Sequence, residues 1–146
     1  MSEQNGQSAH HHHASAPADV YLYALMEMLD ADESNRSEVS VTLMVGGGVV
    51  CGELISHARW RSAFEALVNS VRGPGSEALT KLLRGLDAML PDREEDEPLS
   101  YVHLHRARVI TNYRGTMQDD VQQGPEFPLW RTRLADVQGW TLGRPS

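Results

Sequence analysis

The sequence predicts a small α+β domain: a strongly bent antiparallel β-sheet or Sm/SH3-like barrel of about five strands, with an N-terminal helix and two inserted helices. Three observations carry that prediction. Apolar and polar residues alternate over Val39–Val45, apolar residues recur at three and four over 18–30, 56–71 and 76–90, and glycines stand between strands and inside one of them. At 146 residues the chain is the size of one domain.

Residues 1–17, rich in Ser, Gln, Asn, Gly and Ala with a histidine run at His10–His13, have no periodicity and are read as a disordered tail outside the fold, which occupies 18–143. From Ala18 to Asp30, Leu22, Leu25, Met26 and Leu29 mark an amphipathic helix, and the polar run Asp30–Glu38 ends it. Val39, Val41, Leu43 and Val45 give a half-buried strand, and Gly46-Gly47-Gly48 supplies a hairpin turn tolerant of positive φ. The second strand, Val49–Ile55, carries Gly52 in its interior, where a bulge or a sharp bend is the usual reason for glycine.

Ser56 is a candidate N-cap for a helix whose apolar face is Trp60, Phe64, Leu67, Val68 and Val71. Gly73-Pro74-Gly75 breaks that helix. Ser76 caps a further one through Leu79, Leu82, Leu83, Leu86, Met89 and Leu90, stopped by Pro91. Residues 92–98 read as a solvated acidic loop and Tyr101–Asn112 as a long strand whose side chains change face near Ala107. Two glycines, two prolines and an acidic pair make 113–128 a flexible loop. Leu129–Leu134, a tight turn at Ala135-Asp136 and Val137–Leu142 complete the chain as a final hairpin.

The formal charge is −7, from 13 bases against 20 acids, and it is unevenly spread. Residues 1–38 hold seven acids and only Arg36, whereas 101–146 hold six bases and four acids, so the two ends are electrically complementary. A single cysteine, Cys51, excludes an intramolecular disulfide and suits a reducing compartment. The start of the chain has neither the basic nor the apolar region of a signal peptide, and no stretch approaches the roughly 18 apolar residues of a membrane span. A cytoplasmic protein is expected.

Chemical motifs are few. Cys51 sits mid-strand with no basic helix start beside it, which reads as a structural thiol. His103 and His105 share a strand face and His57 or Glu53 would be needed to complete a zinc site, but no CxxC or HxxxH pattern accompanies them; the His10–His13 run would bind nickel or zinc only adventitiously. The glycine triplet lacks the Gly-Lys-Ser/Thr of a phosphate loop, and neither 92–97 nor Asp119-Asp120 has calcium-ligand spacing. No catalytic residue, metal or cofactor is expected, and the chain does not read as an enzyme.

The interaction surface expected from sequence is a basic patch. Arg106 and Arg108 share a strand face, as do Arg131 and Arg133, and pairing of the two strands would gather four guanidinium groups. Its partner should be acidic. Candidates are phosphate, the acidic N-terminal segment of a second copy, or merely local Glu and Asp. Nucleic acid is disfavoured by the net charge and by an aromatic content of 6%.

Two resemblances follow from these residues. Val41-Thr42-Leu43 leading through the glycine turn to Gly52-Glu53-Leu54, with Val137-Gln138-Gly139-Trp140 near the end, resembles the Sm/SH3-like small barrel, which would imply an RNA-binding or regulatory oligomer. More specifically, Val41–Val45, Val49–Ser56 and the helix entered through Trp60 resemble the first block of the gas vesicle accessory protein U (GvpU) family. Val102–Val109 is similar to that family's second strand block, and Leu129-Trp130-Arg131 through Leu134, Val137, Gly139, Trp140, Leu142 and Gly143 to its C-terminal signature. This resemblance implies a non-shell, non-enzymatic accessory protein that meets the gas vesicle shell, other gas vesicle proteins or itself, and influences vesicle clustering or assembly.

Overall fold

A computed structural model describes residues 19–71, 73–89, 98–110 and 123–145. The expected tail, most of the acidic loop and residues 113–122 of the expected flexible loop lie outside the described residues. Helix α1 (Val20–Ala31) leads into the hairpin β1 (Val39–Val45) and β2 (Gly48–Leu54). Two helices follow, α2 (His57–Ser70) and α3 (Ser76–Met89), then β3 (Tyr101–Ile110), β4 (Gln123–Arg133), a 3₁₀ turn at Leu134–Asp136 and β5 (Val137–Leu142). All pairings are antiparallel, in the order β4-β3-β2-β1-β5.

Local chemistry fixes most boundaries. The Asp19 carboxylate accepts the Tyr21 and Leu22 amides and caps α1. Gly46 and Gly47, at φ +58° and +78°, form the two-residue turn whose twist matches an antiparallel hairpin. Ser56 caps α2 as expected, its hydroxyl accepting the Arg59 amide at 3.1 Å and donating to Asn35.

Two expectations about the strands are corrected. The last two strands do not form a hairpin with each other: β4 pairs with β3, and β5 crosses to the free edge of β1. In a flat sheet the outer strands of five would stand roughly 19 Å apart, whereas the three residues of the 3₁₀ turn advance only about 6 Å. The sheet is therefore strongly bent, although it does not close into a barrel. Strand β4 also begins at Gln123, inside the stretch assigned to loop up to 128. Pro125 and Pro128, which suggested a loop, are admitted because β4 is an edge strand with a side that needs no ladder donors.

The bend has a definite location. Between Cys51↔Arg108 and Glu53↔His105 the β2–β3 register shifts, leaving Arg106 as the extra residue at φ +50°. Opposite it, Gly52 lets the two backbones touch: a Cβ there would meet the His105 carbonyl oxygen at 3.1 Å and the Ala107 Cα at 3.2 Å. Beyond the bulge the side chains change face at Ala107, as the sequence indicates, and Ala107 enters the core.

Leu22, Met26 and Leu29 of α1 bury against Val41, Leu43, Val50, Leu54, Val102 and Leu104 on one face of the bent sheet. Each fully buried Leu or Val contributes about 1.5–3 kcal/mol relative to exposure. At the far edge, Thr42 Oγ1 donates to the Gly143 carbonyl and the Gly143 amide to that of Ser40, both at 2.7 Å, tying the end of β5 to β1. Gly52→Ala is expected to destabilise the fold by about 1–3 kcal/mol, because its neighbours are backbone atoms rather than movable side chains. Urea denaturation of the variant checks this, and an unchanged midpoint would mean that the bend tolerates a wider spacing.

Candidate interaction surface

On the sheet face opposite α1, the bulge holds a buried carboxylate. Glu53 is only 8% exposed, and its Oε1 accepts Arg144 at 2.8 Å and lies 3.5 Å from Arg106, while Ser40 donates to its Oε2. Arg144 also reaches the Arg106 carbonyl, and Arg106 reaches Glu38, which pairs with Arg59 of α2. One acid thus joins β2, the β3 bulge and the C-terminal segment. Hydrogen bonding to Glu53 pushes the Arg144 pKa above its ordinary value.

The second assembly lies where α2 crosses the start of β3 and the end of β4. His57 Nδ1 and His103 Nε2 are 3.2 Å apart, so one ring holds a proton shared with the other. Trp60 stacks on Phe64 at 5.0 Å and covers His103 at 5.3 Å between centroids. The Arg131 guanidinium stands 3.9 Å over the Tyr101 ring and 5.3 Å from that of Trp60, a double cation–π contact. Burial, followed by the neighbouring His57 and Arg131, pushes His103 down to about 3, so its imidazole is neutral. His105 Nδ1 and Trp60 Nε1 are buried without a hydrogen-bond partner among the described residues.

The four arginines expected to share a patch fall into two pairs with different neighbours. Arg106 and Arg108 lie mid-ladder, the first engaged with Glu38 and Glu53, the second 3.8 Å from Glu126. Arg131 and Arg133 lie opposite His103 and Tyr101 at the ladder's end. Arg133 forms a two-pronged pair with Asp136 at 2.9 and 3.0 Å and remains largely exposed. The zinc quartet also separates: His57 and His103 meet, whereas Glu53 is engaged by arginines, and no group of three or more potential ligands occurs among the described residues. Cys51 is completely buried. Sequence reasoning missed the Trp60–His103–Arg131–Tyr101 stack; its only linear signal was His57 and Trp60 opening α2 directly after a cap.

A pH dependence follows from His103. Its imidazole takes up a proton near 6.5 when unfolded but only near 3 when folded, so between those values the unfolded state binds more protons. Stability is complete above that window and falls as the pH drops through it, by at most about 1.4 kcal/mol per pH unit. The difference in urea midpoint between pH 7 and pH 5 should shrink by half or more in His103→Phe, and an undiminished difference would assign the effect to other groups.

The described elements, from the cap of α1 to the residues after β5, coincide with a known family. The description "Gas vesicle protein GvpU-like" matches residues 19–145. No curated protein and no solved structure matches the chain. With the match running through the bent sheet, both inserted helices and the glutamate-centred bulge, the chain belongs to the GvpU-like family of gas vesicle proteins.

Proposed function

We propose that this chain is a non-enzymatic, cytoplasmic accessory protein that associates with the gas vesicle shell or other gas vesicle proteins and with itself, and thereby influences vesicle clustering or assembly. Family membership over residues 19–145 is the observation that carries this reading. The surface chemistry supports it. On the outer sheet face Glu53 is held by arginines and His103 by His57, while Arg131 lies exposed and ordered over aromatic rings. Among the described residues no helix is long and apolar enough to cross a membrane.

Within this reading the contact surface centres on Arg131 and Arg133, with Arg106 and Arg108 farther along the same ladder. Arg131 is pre-ordered by Tyr101 and Trp60, so less side-chain entropy is lost when it meets an acidic group. Arg133 offers exposed donors beside Asp136. Weak contacts of this kind, repeated over a vesicle surface, add up through multivalency without a deep pocket. They are also screened by salt.

Co-flotation tests the proposal. The full chain, mixed with purified gas vesicles, is expected to float with them at low salt and less at moderate salt. Arg131→Glu with Arg133→Glu should reduce the floated fraction several-fold while leaving the circular dichroism unchanged. Unaltered flotation of that variant would make the arginines a solvated face. Absence of flotation together with a ring-sized oligomer carrying nucleic acid, visible in the absorbance ratio, would replace the reading by an Sm-like RNA-binding role.

A further inference from the structure

Helix α3 is oriented the wrong way round for a helix serving only its own chain. Its half-buried positions are Ser76, Thr80 and Leu83, and the groove it forms with α2 is lined by Thr80, Lys81 and Arg84 against Glu65, Val68 and Asn69. Apart from Leu83, its large apolar residues point elsewhere: Leu79 is 37% exposed, Leu82 60%, Leu86 43% and Met89 80%. Among the side chains of α3 that the structure describes, none is fully buried. A solitary 14-residue helix is marginal in water, so a helix that contributes almost nothing to its own core needs another surface to hold it.

We propose that this stripe is a homodimer seam, occupied by α3 of a second copy packed antiparallel against it. The proposal deepens the self-association reading above and rests on it. Three observations select a second copy over other occupants. Spacing comes first: Leu79, Leu82, Leu86 and Met89 alternate by three, four and three, the narrow period-3.5 seam that interlocks with another of its kind. Charge comes second. In a chain of net −7, the sequence of α3 holds two acids, Glu77 and Asp87, and two bases, Lys81 and Arg84, so this is a segment that meets its own copy without net repulsion.

Area comes third. The four side chains expose on the order of 400 Å² of apolar surface, within the 300–600 Å² of the largest patch on a typical monomer, where such patches are often functional. Two stripes together give about 800 Å², so polar rims adding roughly 400 Å² would bring the contact to the ~1,200 Å² of a stable interface. A two-fold pairing requires a self-complementary patch, which an apolar stripe is by construction. The antiparallel arrangement also sets each helix N-terminus beside the partner's C-terminus, where the dipoles attract.

Sedimentation equilibrium on the full chain is the test, with Leu82→Glu/Leu86→Glu as the disrupting variant and Leu82→Met/Leu86→Met as the conservative one. Wild type and the methionine variant are expected to have about twice the 16.2 kDa mass of one chain at tens of micromolar, and the glutamate variant the single mass with unchanged near-ultraviolet dichroism. A monomeric wild type overturns the seam, as does a glutamate variant that still dimerises. A monomeric wild type whose flotation with vesicles is lost in the glutamate variant also overturns it and assigns the stripe to the vesicle shell. A dimer that never floats with vesicles leaves the seam standing and removes the vesicle reading instead.

Discussion

The buried Glu53 carboxylate at the bend between β2 and β3 is the interaction on which the architecture depends. Without the bend the sheet is flat, β5 cannot reach β1 through a three-residue turn, and α1 has no concave face to fill. Bending at this point leaves an extra residue, Arg106, at positive φ and a carbonyl without its regular ladder position. Arg144 satisfies that carbonyl and binds Glu53 with the same guanidinium nitrogen. A carboxylate this buried is costly unless paired and hydrogen-bonded, and here two arginines and a serine hydroxyl surround it. The Arg144 contact makes the last residues of the domain part of the bend.

Around this point the molecule divides into a rigid half and two outward surfaces. The rigid half is α1 with the inner sheet face, a core of Leu, Val and Met. Above the outer face, α2 brings Trp60 down on His103 and holds Arg131 against Tyr101, so the end of the β3–β4 ladder presents an ordered cation. The α2–α3 hairpin carries the second surface, an apolar stripe turned away from its own chain. Under the proposed function, gathering vesicles would use such separated contacts, since bridging requires at least two.

Much of this was legible in the sequence because it is written in local terms. Alternation over Val39–Val45, paired positive-φ glycines, the Ser56 cap and the two breaks around Gly73–Gly75 and Pro91 each act within a few residues, and they locate the first hairpin and all three helices. Gly52 even marks the bend, since a strand-interior glycine signals close backbone approach. What escaped is non-local. The path of β5 depends on which edge of the curled sheet is free, not on the tight turn before it. The arginine patch assumed that cations on paired strands would meet one another, whereas Arg106 meets Glu38 and Glu53, and Arg108 meets Glu126. The inverted face of α3 is invisible to periodicity, which reports that a helix has an apolar side but not where that side points.

The central claim is that Glu53 and Arg144 act as one unit in holding the bend, and a double-mutant cycle addresses it directly. Glu53→Gln, Arg144→Gln and the double variant would be compared with wild type by urea denaturation at pH 7. Groups in one buried network are expected to show a coupling energy of about 1–3 kcal/mol, with the double variant less destabilised than the two single losses added together. Strict additivity would contradict the account, leaving the Gly52 contact and the apolar core alone to fix the curvature of the sheet.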